Sequence, residues 1–150
     1  MDEYFMNIAL EEAYKAYSTL EVPVGAIVVH KGKIIGRGHN LRETLKDPTA
    51  HAEIIAIKNA SEYLGGWRLI DCTMYVTVEP CPMCAGAILN SRIDRLVIGT
   101  RDNKMGCCGT CLDLTNNINF NHKVQVIFNV LHKECSSIMK KFFSELRKNK

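Results

Sequence analysis

The chain has 150 residues, of which 47% are hydrophobic and 23% charged, with a formal net charge of +3. That length fits one compact domain, which typically holds about 100–150 residues, and the composition excludes a long disordered polymer. The longest apolar run, around Val24–Val29, falls far short of the roughly 20 residues of a membrane span.

The start, Met1-Asp2-Glu3-Tyr4, is acidic and lacks the apolar core of a signal peptide. The protein is therefore expected in the cytoplasm. Its seven cysteines are expected to be reduced there, which favours metal binding or reactivity over disulfides. Met6, Ala9, Leu10, Ala13, Tyr14 and Tyr17 recur at helical spacing and predict an amphipathic first helix. Val24–His30 and Lys33–Gly38 read as two strands joined by a tight turn at Lys31-Gly32. Asp47 and Pro48 predict a helix start, the aspartate as cap and the proline in the first turn. The helix continues through Ile54-Ile55-Ala56-Ile57 until Gly65-Gly66 breaks it.

Thr73–Val78 is a β-branched run that predicts a buried strand. Pro80 ends it, and Pro82 opens a helix reaching about Asn90. Arg95–Gly99 and Val124–Phe128 are further strand candidates. A last helix from about Lys133 to Arg147 places Cys135, Ile138, Met139, Phe142, Phe143 and Leu146 on one stripe. After the opening hairpin, strands alternate with helices. The pattern predicts an α/β fold, a three-layer α/β/α sandwich around a central mixed sheet of about five strands. No repeat or linker divides the chain, so residues 1–150 are read as one domain that includes the C-terminal helix. Residues 121–150 carry seven Lys or Arg against two Glu, a local charge of +5. A basic end on a near-neutral body suggests a polyanionic partner, although a merely solvated helix explains it about equally well.

Two short segments carry the chemistry: His51-Ala52-Glu53 and Pro80-Cys81-Pro82-Met83-Cys84. A CxxC pair at a helix start lets both thiolates reach one Zn²⁺, and the positive end of the helix favours the thiolate. His51 sits in the opening turn of its own predicted helix, where side chains tilt back toward the N-terminus. Two helix ends facing one ion give three protein ligands and leave a fourth position for water, the mark of a catalytic rather than structural zinc. Glu53 then has a task, since a zinc-bound water is acidified and a nearby carboxylate accepts its proton. Alone, each piece has a bland explanation: CxxC is common, a histidine often starts a helix, and a glutamate is favourable in a first turn. In the order H-x-E then P-C-x-x-C they match the signature of the zinc-dependent nucleobase deaminases.

The chain resembles the bacterial tRNA-specific adenosine deaminases of the TadA type, within the cytidine/deoxycytidylate deaminase superfamily. The resemblance runs through Glu21–Ala26, Asp47–Ile54, Arg68–Asp71 and Tyr75–Ala87, and covers nearly the whole chain. The DPTAHAE and EPCPMC segments are also shared with guanine deaminases. The segment Thr100–Gly106 followed by Gly109, and the basic last helix with Phe142-Phe143, resemble the RNA-contacting parts of the tRNA enzymes. The resemblance implies a cytidine-deaminase-like fold, one Zn²⁺ per subunit on His51, Cys81 and Cys84, and a homodimer. It implies hydrolytic conversion of the wobble adenosine in a tRNA anticodon stem-loop to inosine. Zinc-activated water attacks C6 of the purine, and Glu53 moves protons from the water to N1 and to the departing ammonia. Asn40 and the backbone N–H of Ala52 are implied to hold the base. Asp102, Lys104, Phe143 and Arg147 are candidates for loop and phosphate contacts, Phe143 by stacking on a base that has left its stack.

Two other functions stay open on these residues. A deaminase acting on free guanine or cytosine keeps the zinc and Glu53 but needs no basic terminal helix. A non-catalytic, zinc-stabilised RNA-binding module needs no Glu53. Cys107, Cys108 and Cys111 depart from the family, which commonly has small residues there. They are expected to pack beside the active site rather than, with His122, to hold a second metal. Cys72 and Cys135 read as buried thiols.

Overall fold

A computed structural model describes residues 1–149, so the end of the expected 1–150 domain, Lys150, lies outside the described residues. Five strands form one sheet: β1 (Gly25–His30), β2 (Lys33–His39), β3 (Cys72–Val78), β4 (Arg95–Thr100) and β5 (Gln125–Ile127). Their spatial order is β2-β1-β3-β4-β5. The pairs on either side of β1 are antiparallel, while β3, β4 and β5 run parallel. The sheet is mixed, as its sequence predicts. Lys31 and Gly32 both take positive φ, 50° and 77°, which is the geometry that matches a two-residue hairpin to strand twist.

Helices cover both faces. On one side lie α1 (Asp2–Ser18) and, at the end of the chain, α5 (His132–Lys148). Phe5, Met6, Ala9 and Leu10 of α1 and Cys135 and Ile138 of α5 pack there on Ile27, Val29, Tyr75 and Val97. On the other side lie α3 (Ala52–Leu64) and α4 (Pro82–Asn90). Their Ala52, Ala56, Ala60, Ala85 and Ile88 pack on Val28, Met74, Val76, Leu96 and Ile98. The two sets alternate along each strand, as period-two side chains between two helical layers must. Each fully buried Ile, Leu or Met contributes about 1.5–3 kcal/mol, so the sheet interior dominates the stability.

One close approach places the site. A Cβ on Gly38 would stand 2.3 Å from the Ala52 carbonyl oxygen, so only glycine lets the start of α3 rest directly on β2. The helix carrying His51 and Glu53 is thereby fixed against the strand leading to Asn40.

Some expectations need correction. The helix predicted at Asp47-Pro48 begins at Ala52 instead, with His51 in extended backbone at its cap (φ −84°, ψ 153°). Asp47 Oδ1 accepts the Thr49 backbone N–H at 2.8 Å and its hydroxyl at 2.7 Å, so it closes a local turn in place of capping a helix. A one-turn helix, α2 (Arg42–Leu45), precedes it and is too short to leave a period in the sequence. Tyr14 is exposed although its spacing put it on the buried stripe. The buried face of α1 is made by Phe5, Met6, Ala9, Leu10, Glu12, Ala13 and Ala16, which leaves Tyr14 turned to solvent. On α5, Cys135, Ile138 and Phe142 are buried, whereas Phe143 and Leu146 are 38% and 48% exposed.

Candidate active site

The C-terminal ends of β2 and β3 face the starts of α3 and α4, and a cavity of about 250 Å³ opens between them. Its floor is His51, Ala52, Glu53 and Cys81; Val22, Val24, Asn40 and Arg42 form one wall, and Val78, Glu79, Asp102, Met105 and Met139 the other. The volume lies just below the roughly 300–1,000 Å³ usual for small-molecule sites. That volume suits one small ring system.

His51 caps α3 and Cys81 caps α4, with Pro82 as the first helical residue. The His51 Nδ1 lies 3.7 Å from the Cys81 Sγ and 3.6 Å from the Cys84 Sγ, and the three ligand atoms fall within 4.8 Å of one another. A tetrahedral zinc with bonds of about 2.3 Å to sulfur and about 2.0–2.1 Å to nitrogen sets such atoms about 3.6 Å apart. The donor set therefore fits zinc. Ionisation agrees: the Cys84 thiol beside Cys81, with help from His51 and against burial, brings Cys81 down to about 4. Cys84 is driven far up, first by its bond to Cys81 and then by burial, because two thiolates share one site only when a cation joins them.

Glu53 is 4% exposed. Burial pushes its carboxyl up to about 7, the neighbouring Cys81 charge adds to this, and its own backbone N–H and His51 oppose it. A positive charge held by the three ligands would draw it back toward the carboxylate form. A value of about 7 lies in the range suited to giving and taking a proton near neutrality.

Asn40 is buried at 7% exposure and does two things at once. Its Oδ1 accepts the Arg42 backbone N–H at 3.2 Å and its Nδ2 donates to the Val22 carbonyl at 3.3 Å. Asn40 thus closes a local turn, yet one amide proton and one lone pair remain for a ligand in the cavity. Leu41, next to it, donates its backbone N–H to Ala50 at 3.0 Å, which ties Asn40 to the segment entering His51. Ala52 is the first residue of α3, where a backbone N–H has no acceptor within its own helix.

Asp102 lines the cavity, and its Oδ1 accepts the backbone N–H groups of Lys104 and Met105 at 2.9 and 3.1 Å. Lys104 is exposed on the same loop, outside the lining. Phe143 and Arg147 are also outside the cavity and exposed. With Met139, which does line it, they are spaced four residues apart on α5 and share one face leading about 12 Å away.

Cys107 and Cys108 are buried and Cys111 is exposed. Among the described residues the only grouped metal donors are His51, Cys81 and Cys84. His122 Nε2 lies 2.8 Å from the Ile93 carbonyl. Sequence reasoning missed two buried glutamates beside the cavity. Glu21 is 1% and Glu79 3% exposed, Glu79 itself lines the cavity, and each accepts backbone N–H groups of a segment adjoining it. The available signal was a charged residue adjoining apolar segments at Glu21-Val22-Pro23 and Val78-Glu79-Pro80.

Residues 1–147 match the family model described as MafB19-like deaminase. The chain is 50% identical over 149 residues to the tRNA-specific adenosine deaminase of Bacillus subtilis (strain 168), covering 99% of this chain and 92% of that one. It is 47% identical over 150 residues to the tRNA-specific adenosine deaminase of Haemophilus influenzae, covering 99% and 87%. A solved structure from studies of A-to-I editing by tRNA:A34 deaminases at the wobble position of transfer RNA superposes with a TM-score of 0.87. It is 41% identical and covers 90% of this chain and 98% of that one.

Proposed function

Because the chain belongs to the MafB19-like deaminases, and among them to the tRNA-specific adenosine deaminases, we propose that it converts the wobble adenosine of a tRNA anticodon loop to inosine and ammonia. The observation that carries this reading is the His51–Cys81–Cys84 donor set with Glu53 buried beside it in the cavity floor. His51 Nδ1 and the two Sγ atoms would hold one zinc. When bound, the metal supplies a water acidified enough to attack C6 at neutral pH.

The remaining steps belong to the chain's own groups. The Glu53 carboxylate takes the proton of the attacking water, delivers one to N1 of the ring and carries another to the amine as it leaves as ammonia. Asn40 holds the base with the amide proton and lone pair its turn leaves unused, and the Ala52 N–H donates to the base. Val22, Val24, Val78, Met105 and Met139 exclude water from the base faces. The target nucleotide has to leave its stack to reach this floor, which an anticodon loop permits at low cost. Asp102 and Lys104 meet flanking nucleotides, Phe143 stacks on one, and Arg147 meets phosphate along the α5 face.

The reading places this chemistry in one domain over residues 1–150, acting as a homodimer in the cytoplasm on a tRNA anticodon stem-loop. The family resemblance supports the dimer, and among the described residues no helix is long and apolar enough to cross a membrane. The test is incubation of the zinc-loaded protein with an adenosine-bearing anticodon stem-loop, and separately with adenosine, guanine and cytosine. Inosine in the stem-loop alone is expected. Turnover of a free base without turnover of the stem-loop would overturn the substrate assignment.

A further inference from the structure

Glu79 follows the last residue of β3 and stands two residues before Cys81. Its backbone N–H continues the sheet by donating to the Thr100 carbonyl at 2.9 Å. Its side chain, almost wholly buried, lines the cavity between Val78 and Cys81 and gathers the 101–111 loop. Oε1 accepts the Asp102 backbone N–H at 3.2 Å and the Thr110 hydroxyl. Oε2 accepts the backbone N–H groups of Cys108 and Thr110 at 3.0 and 3.1 Å. Four donors from one loop thus converge on one carboxylate. The next residue repeats the link, since the Pro80 carbonyl accepts the Cys107 N–H at 2.9 Å.

The loop is shaped to reach that carboxylate. A Cβ on Gly106 would stand 2.5 Å from the Glu79 carboxyl carbon, from its Oε1 and from the Asp102 carbonyl oxygen. Only glycine lets the chain pass there. The same loop carries Asp102 and Met105 into the cavity wall and Lys104 to the surface beside it.

We propose that Glu79 is a positioning residue of this site: its carboxylate clasps Asp102, Cys108 and Thr110, and so sets the substrate-facing wall in register with the thiolate turn. Although it lines the cavity, both of its oxygens are taken by loop donors, so it acts through the loop and not on the reacting atoms. His51, Glu53, Cys81 and Cys84 are held by two helix starts packed on the sheet, and among the described residues none of their side chains bonds to the loop. The clasp therefore governs how well the RNA is seated, and proton transfer at Glu53 is left in place. The kinetic part of this inference rests on the deaminase reading; the structural part does not.

The test is Glu79→Gln in the full, zinc-loaded chain. The shape is kept, but the new amide N–H₂ meets loop N–H donors where an oxygen stood. Loop amides 102–111 are expected to exchange with deuterium about ten-fold faster, and the stem-loop KM to rise about ten-fold, as the loss of a hydrogen bond to a charged group predicts. Inosine kcat is expected to stay within about three-fold and zinc content at the wild-type level, since neither depends on this carboxylate. Thr110→Val removes only the hydroxyl donor and is expected to give a smaller change of the same kind; it decides the matter if Glu79→Gln does not fold. Unchanged loop exchange and KM in the variant that folds would overturn the proposal. So would loss of zinc and kcat with loop exchange unaltered, which would make Glu79 a support of the metal turn. A wild-type protein that makes no inosine in the stem-loop would count against the deaminase reading alone, because exchange still reports the clasp.

Discussion

The Glu21 carboxylate accepts the backbone N–H of Thr44 at 2.6 Å, and through that bond a residue before β1 holds the segment beside Asn40. The Glu43 N–H joins it at 3.0 Å, so the open start of α2 is satisfied by a side chain more than twenty residues away. Burial is the largest influence on this carboxyl and pushes it up, yet the bonds from Thr44 and Glu43 outweigh it and hold it below its ordinary value.

Glu21→Gln keeps the volume and removes the charge that two N–H groups require. The expected cost is about 1–3 kcal/mol of unfolding free energy, read by urea denaturation. Asn40 and Arg42 flank the same segment, so the stem-loop KM should rise with it. An unchanged denaturation midpoint would refute the role given to this bond.

Glu53→Gln isolates the proton carrier from the metal. Zinc content and stem-loop binding are expected to match the wild type, while kcat falls about 10²–10⁴-fold, the usual worth of a positioned acid–base group. His51→Ala should act differently, with zinc lost and inosine formation lost together. Retention of one zinc per chain in the histidine variant would contradict the ligand assignment.

The chemistry was legible because its signals are local. His51 and Glu53 are separated by one residue and Cys81 and Cys84 by two, so residue type and spacing alone mark them as one donor set with a carboxylate beside it. The strands were legible for the same reason, through β-branched runs bounded by Gly and Pro. What escaped the sequence was long-range. Glu12, Glu21 and Glu79 are buried carboxylates whose partners lie elsewhere in the chain, and a charged residue read alone belongs to the surface. The start of α3 escaped because Asp47 spends its oxygen on Thr49, a choice that composition does not reveal.

Glu12 supplies a pH prediction. Its side chain is 4% exposed and lies 2.7 Å from Lys15 Nζ, 3.4 Å from the Arg37 guanidinium and 3.1 Å from His39 Nδ1. Burial is again the largest influence and raises its pKa, but the bonds from Lys15, His39 and Arg37 together hold it below the ordinary 4.5. A group with a lowered folded value binds fewer protons folded than unfolded near that pH. Its contribution is therefore complete above 4.5 and lost as pH falls through the lower folded value. Stability measured by urea from about pH 7 to about pH 3 should fall at the acid end, and less steeply in Glu12→Gln. Parallel curves for the two proteins would show that Glu12 is not a source of the acid sensitivity.

The face of α5 that leaves the cavity at Met139 gives the last prediction. Phe143 and Arg147 follow Met139 at four-residue intervals, and Lys140, Lys141 and Lys148 add positive charge to the same helix. If phosphates lie along it, bound cations are released from the RNA on binding, and affinity falls with salt by a slope of about 0.7 per neutralised phosphate for single strands. Changing Lys140, Lys141, Arg147 and Lys148 to Glu should weaken stem-loop binding and flatten that slope, with zinc content unaltered. Phe143→Ala should weaken binding without changing the slope, because stacking releases no counterions; an alanine at an aromatic stacking position typically costs about 1–3 kcal/mol. An unchanged slope in the charge-reversed protein would remove α5 from the RNA path and leave its charge as that of a solvated helix.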